Sequence, residues 1–188
     1  MIDNWLREYV GRHQQVIQAI DLKAVEEVIA LVAGAREAGA RIFVCGNGGS
    51  AASASHLSVD LGKGASVGRA RRFNVVSLNE NVAWMTALAN DLGYENVFVE
   101  QMAAQASPGD LLIAISVSGN SPNVVRAAEY ARSHGMVTVG LVGSPGGRLA
   151  ELADHPVVIG TGHFGHCEDA HMFIAHLIGY AFIDNPGL

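Results

Sequence analysis

Two short stretches of this 188-residue sequence gather groups that can hold an anion without a fixed cation. In Gly46-Asn47-Gly48-Gly49-Ser50, glycines lead into a serine, so backbone NH groups can meet a ligand with no side chain in the way. In Ser116-Val117-Ser118-Gly119-Asn120-Ser121, hydroxyls surround a glycine. Hydroxyls and backbone NH groups suit a terminal monophosphate. Neither loop spells GxGxxG or GxxxxGK followed by Ser or Thr, so neither a dinucleotide fold nor a nucleoside triphosphatase is supported. Each loop alone could be a plain polar turn. Two in one chain make a sugar-phosphate site the better reading.

Acids and imidazoles form the second set of candidates. His56 and Asp60 are four residues apart in a predicted helix, hence on one face and within reach of one metal or one substrate, although the same spacing also makes a helix-supporting pair. Glu168 and His176 are eight apart in the last predicted helix, about 80° around its axis. Asp169 and His171 lie near them, and His171 reads as a packing histidine rather than a ligand. His56, Asp60, Glu168 and His176 together make a donor set for a divalent metal such as zinc. The same groups could move a proton beside a carbonyl with no metal at all.

These residues need a frame to position them. Arg41 to Cys45 reads as an apolar strand running into the first loop, and Ser50 to Leu61 as a helix rich in Ala and Ser. Asn74 to Leu78, Leu111 to Ile115, Met136 to Val142 and Pro156 to Ile159 read as further strands. Helices are expected from about Asn81 to Gln105, Pro122 to His134 and Gly165 to Ile183, with a glycine-rich turn at Gly143 to Gly147. Residues 1 to 39 form two helices, Asp21 capping the second, and carry more apolar positions than one sheet face needs, which marks them as an oligomerisation segment. Apolar strands alternating with helices imply a single α/β domain, a parallel sheet covered on both faces in three layers. Ligands in such sheets bind at the carboxyl ends of the strands, where both loops fall.

Composition narrows the classes further. The length fits one domain. Hydrophobic residues make up 49% and charged ones 16%, yet no apolar run approaches the roughly 18 to 20 residues of a membrane span. A formal charge of -6 and a pI near 5.7 disfavour general nucleic-acid binding. Arg69, Arg71 and Arg72 are a local exception, either a solvated loop or a guide for an anionic substrate. Met1 to Val10 lacks the apolar stretch of a signal peptide, so a cytoplasmic location is expected. Cys45 and Cys167 form no CxxC pair and are expected to be free thiols.

The string from Cys45-Gly-Asn-Gly-Gly-Ser50 through His56, together with Ser116 to Ser121, the Ala89-Asn90-Asp91 segment, the Gly146-Gly147 turn and the closing helix with His171 and His176, resembles the sugar isomerase (SIS) domain. Within that family it is similar to the phosphoheptose isomerases, and the likeness spans nearly the whole chain. The resemblance implies conversion of sedoheptulose 7-phosphate to a heptose 7-phosphate through an enediolate, in a homotetramer whose active sites lie between subunits. Carried over residue by residue, Ser50, Ser116, Ser118 and Ser121 would hold the phosphate, helped by Gly48, Gly49 and Val117, with Asn47 and Asp91 along the sugar. His56 and His176 fall on metal-binding histidines. Asp60 stands where the family has a catalytic, metal-binding Glu, Glu168 where it usually has Gln, and Val117 where Thr is common. Either Asp60 or Glu168 would be the base, with His176 assisting ring opening. Two other readings stay open: isomerisation of a pentose or hexose phosphate, and a non-catalytic SIS-domain protein that binds phosphosugars or regulatory partners.

Overall fold

A computed structural model describes residues 1–188 and shows five parallel strands in the order β2-β1-β3-β4-β5. The strands are β1 (Arg41–Gly46), β2 (Asn74–Ser77), β3 (Leu111–Ser116), β4 (Val137–Gly143) and β5 (His155–Ile159). Their side chains alternate between two cores, as a pleated strand buried on both faces requires. Ile42 and Val44 of β1, with Leu111, Ile113 and Ile115 of β3, join the first core beneath α2 (Leu22–Ala38), α3 (Gly49–Val59) and α8 (Phe164–Asp184). Phe43 and Cys45, with Leu112 and Ala114, join the second, beneath α5 (Val99–Ala103), α6 (Pro122–Ser133) and α7 (Gly147–Leu152). The result is the three-layer α/β/α domain the sequence implies.

Helix α1 (Ile2–Gln18) stands apart, for it buries no residue and leaves Trp5, Leu6 and Val10 exposed. Asp21 caps α2 by accepting hydrogen bonds from the backbone NH groups of Lys23 at 3.0 Å and Ala24 at 3.2 Å, as its position suggested. Between β2 and α5, helix α4 (Val82–Leu92) is followed by a single 3₁₀ turn at Tyr94–Asn96. Two local features differ from the sequence reading. Directly after α3 the chain makes a π turn over Asp60–Gly64, and the glycine-rich turn after β4 opens into the short helix α7.

The strand order reverses direction between β1 and β3, and at that switch point the loops leaving the two strands part to form a crevice. The Gly46 and Ser116 loops are those two loops.

Candidate active site

At the carboxyl end of β1 the chain turns through Gly48, with φ 56° and ψ -122°, to start α3 with no side-chain cap. Asn79 braces the turn, donating from Nδ2 to the Gly46 carbonyl at 2.8 Å and accepting from the Gly46 NH at 3.2 Å. Across the crevice the Ser116 loop turns at Gly119, with φ 63°. A side chain there would collide with the Gly146 carbonyl, and one on Gly147 would meet the Ser118 carbonyl. The Leu149 NH donates to the Gly119 carbonyl at 2.8 Å, and the Arg148 NH to Asn120 Oδ1 at 2.9 Å. The start of α7 thus supports the serine loop from behind.

Between the loops lies a pocket of ≈ 110 Å³ lined by Asn47, Ser50, Ile115, Ser116, Val117, Ser118, Ser121, Phe164 and Glu168. Ser116 Oγ donates to Ser121 Oγ at 3.3 Å, and Ser118 Oγ accepts from the Asn120 NH at 3.2 Å. Ser121 is the N-cap of α6 but makes no side-chain capping bond, which leaves its hydroxyl for a ligand. The Val117 side chain belongs to the apolar core, so only its main chain can serve the pocket. No lysine or arginine lines it. The amino ends of α3 and α6 therefore supply its positive potential.

Asn47 links this cradle to a neighbouring cleft of ≈ 530 Å³. Its side-chain amide pairs reciprocally with that of Asn123, both bonds 2.8 Å, and its Oδ1 also accepts from the Tyr94 hydroxyl at 3.0 Å. Sequence reasoning missed Asn79, Tyr94, Asn123 and Phe164. None carries a spacing signal; Asn123, one residue past the Pro that opens α6, was the only one beside a recognised loop. Asp91 is exposed at the end of α4, accepts from Asn90 Nδ2 at 2.8 Å, and lines neither the cradle nor the cleft.

Helices α3 and α8 run side by side in the same direction. Near their amino ends, a Cβ on Gly49 would land in the Glu168 carboxylate. Further along, His176 Nε2 lies 2.9 Å from His56 Nε2, and His56 Nε2 lies 3.3 Å from Asp60 Oδ2. A Cβ on Gly179 would come within 2.8 Å of the Asp60 Cβ, so glycine there makes room for the acid. The seven residues from Gly49 to His56 separate cradle and cluster by about 10 Å along the axis.

His56, Asp60 and His176 bring one ligand atom each to within 4.8 Å of one another. Donors around a tetrahedral zinc, with bonds near 2.0 to 2.1 Å, lie roughly 3.3 Å apart, close to the spacings seen. Asp60 Oδ2 is buried and takes part in no hydrogen bond despite its nearness to His56. Two imidazoles and an orphaned carboxylate oxygen fit a borderline divalent cation. Glu168 does not join them within one chain. Eight residues of helix, about 12 Å, separate it from His176. Its carboxylate belongs to the cradle, where the pattern of types and spacing did not place it.

Other candidates fall away from the site. Arg69 donates to the Pro186 and Phe182 carbonyls at 3.1 and 3.2 Å, and Arg71 to Glu37 Oε2 at 2.8 Å, so both tie down the chain's own termini and helices rather than face the crevice. Burial pushes the Cys45 thiol up to about 12 and, with the Glu168 charge, the Cys167 thiol up to about 12, which removes both as nucleophiles. Burial lowers His171 to about 4, against a raising contribution from the Val142 backbone, and its Nε2 lies 3.5 Å from Cys167 Sγ. His171 is a neutral core residue.

A crevice of serines at the β1/β3 switch point, with an acid and two histidines along the adjoining helix pair, defines a phosphosugar-handling α/β protein. Residues 5–143 match the family described as SIS domain. The phosphoheptose isomerase of Crocosphaera subtropica is 36% identical over 178 residues, covering 93% of this chain and 88% of the relative. That of Mycobacterium tuberculosis is 43% identical over 148 residues, covering 79% and 74%. Among solved structures, the phosphoheptose isomerase of Neisseria gonorrhoeae superposes with a TM-score of 0.88 at 26% identity, covering 98% of this chain and all of the other. The chain belongs to the SIS-domain family and, within it, to the phosphoheptose isomerases, a family of aldose-ketose isomerases. No helix is long and apolar enough to cross a membrane.

Proposed function

We propose that the chain interconverts sedoheptulose 7-phosphate and a heptose 7-phosphate, working in the cytoplasm as a homotetramer. The observation that carries this reading is the placement of an uncharged-hydroxyl cradle and a His-Asp-His cluster about 10 Å apart along one pair of helices. That separation suits a phosphate at one end of an extended sugar and the reacting carbons at the other.

Ser50, Ser116, Ser118 and Ser121 hold the phosphate at the crevice, and Asn47, fixed by Asn123 and Tyr94, orients the chain of hydroxyls. His176 moves a proton at the ring oxygen to open the sugar. Asp60 takes a proton from C1 of the ketose, leaving an enediolate; once the hydroxyl proton has passed from O1 to O2, Asp60 returns its proton to C2 and the aldose forms. His56, Asp60 and His176 would hold a divalent ion, zinc by the chemistry of the donors, and such an ion supplies Lewis-acid stabilisation of a developing oxyanion. Residues 1–39 form the oligomerisation segment, since α1 leaves Ile2, Trp5, Leu6 and Val10 exposed and buries none of its residues within the chain.

Incubating the purified protein with a panel of ketose phosphates, with and without zinc, tests the proposal. Aldose formation and exchange of the C1 proton with solvent are expected for the heptulose phosphate. Binding without exchange for every sugar sinks the enzyme reading. One observation favours that second reading, a phosphosugar-binding protein without catalysis: the Glu168 carboxylate lines the very pocket meant for a phosphate. The sugar-binding fold itself is shared by a Vibrio vulnificus NanR protein complexed with ManNAc-6P, which superposes with a TM-score of 0.71 at 18% identity.

A further inference from the structure

The seam between α1 and α8 holds a second group of imidazoles that isomerisation does not use. Tyr9, Arg12 and His13 of α1 meet His163, His166 and Asp169 of α8 there. His163 is the N-cap of α8, accepting the His166 NH on its ring at 3.3 Å, and the two rings stack with centroids 4.3 Å apart. His166 is only 4% exposed and packs edge-on against Tyr9 at 4.2 Å.

His166 Nε2 and His13 Nδ1 are both buried, and neither has a hydrogen-bond partner. Buried polar atoms are seldom left unpaired, and finding two in one seam asks for a common reason. Asp169 Oδ2 stands 3.9 Å from His13 Nδ1, and Asp169 lies three residues from His166, on the same face of α8. We propose that His13, His166 and Asp169 form a second site for a borderline divalent cation such as zinc or cobalt, fastening α1 to α8. Two imidazole nitrogens and a carboxylate oxygen are a donor set such cations favour. The three donors do not converge without an ion: the His13 and His166 rings are 5.9 Å apart by centroid, and the Asp169 side chain, 57% exposed and facing His13, must turn toward His166 to close the shell. The adjoining cleft of ≈ 420 Å³, lined in part by Arg12, Thr161, His163 and His166, provides a path for the ion and room for water to complete its shell. Because α1 buries no residue of its own, an ion here would be its firmest attachment.

The second site does not depend on the isomerase reading, whereas the count of two in the parent rests on the ion proposed for the His56, Asp60 and His176 cluster. Cobalt(II) is the probe, counted per chain by elemental analysis after dialysis and characterised by its visible absorption. The parent is expected to bind two ions per chain. His56→Ala/His176→Ala, which dismantles the active-site cluster, should keep one. Adding His166→Ala or Asp169→Asn to that background should remove it, and Asp169→Asn in the parent should lower the count from two to one. Asp169 is exposed, so its variant keeps the test sound should His166→Ala not fold. The proposal is overturned if the His56→Ala/His176→Ala protein binds no cobalt, or if its remaining ion survives Asp169→Asn and any folded His166→Ala.

Discussion

The two ends of α3 offer opposite potentials. Its amino end meets the serine cradle, where the helix dipole is positive and no side-chain cation intrudes. Its carboxyl end carries His56 and leads into Asp60, where the dipole is negative and the donors suit a cation. α8 runs alongside in the same direction and repeats the contrast, except that Glu168 puts an acid beside the anion-binding end. On the function proposed above, the parallel helix pair separates anchoring from chemistry by length alone, and breaking one end should leave the other intact.

The largest effect is expected from Asp60→Asn. If Asp60 is the base, kcat should fall by about 10² to 10⁴, while phosphate affinity at the far end stays at the parent value. Fluorescence or calorimetric titration with inorganic phosphate, beside a rate assay, separates the two. A parallel loss of phosphate affinity would mean the ends are not independent.

Between the ends, α8 is seated through His171, and its burial sets a pH dependence. The folded-state value of about 4 lies below the ordinary 6.5, so the unfolded chain binds the proton more readily. Stability is therefore full above about pH 6.5 and falls as the pH drops toward 4, with about 2 kcal/mol lost between pH 7 and pH 5. The buried, lowered His166 acts in the same sense. Urea midpoints measured across that range should decline on acidification, and less so in His171→Asn. Midpoints that stay level from pH 7 to pH 5 would contradict a neutral buried imidazole.

The cradle end was the more legible of the two in the sequence. Apolar strands of five to seven residues ending in Gly and Ser announce both a parallel sheet and its ligand edge, because strand period and turn chemistry are local properties. The convergence of His56, Asp60 and His176 was only half legible. Spacing of four puts His56 and Asp60 on one face, but nothing in α8 says that His176 rather than Glu168 faces them; the 1.5 Å rise and the parallel setting of the helices decide it. In the π turn at Asp60–Gly64, a Cβ on Gly62 would come within 3.0 Å of Val75 and one on Gly64 within 2.9 Å of Ile183, and neighbours so distant in sequence leave no local signature. Helix α7 is too short for periodicity to show, and its role emerges only from the collision that glycines at 119 and 147 avoid.

A smaller effect, confined to the amino end, is expected from Ser118→Ala/Ser121→Ala. Each hydroxyl bond to a charged phosphate contributes about 1.5 kcal/mol, or tenfold, so sugar-phosphate affinity should fall about 100-fold with the fold intact. The cobalt count of the protein should not change. Unaltered affinity would remove the serine loop from the binding site.

The smallest effect belongs to Glu168→Gln, and it tests the one place where the contrast between the ends is blurred. A carboxylate and a phosphate sharing a pocket of ≈ 110 Å³ repel, while the amide keeps the shape and adds a donor. Unit charges 4 Å apart interact by about 4 kcal/mol at an effective dielectric constant of 20, and exposure to water at the pocket mouth reduces that, so inorganic phosphate should bind about tenfold tighter in the variant. Exchange of the C1 proton should continue, because Asp60, the proposed base, lies beyond the far end of α3, about 16 Å along the axis from Gly49. Tighter phosphate with exchange retained assigns Glu168 to tuning the cradle and Asp60 to the chemistry. Loss of exchange with metal retained would instead make Glu168 the base. With its carboxylate packed beside Gly49, that outcome requires the acid to act on a sugar bound by another subunit, and mixing Asp60→Asn and Glu168→Gln chains would then restore activity in the hybrid.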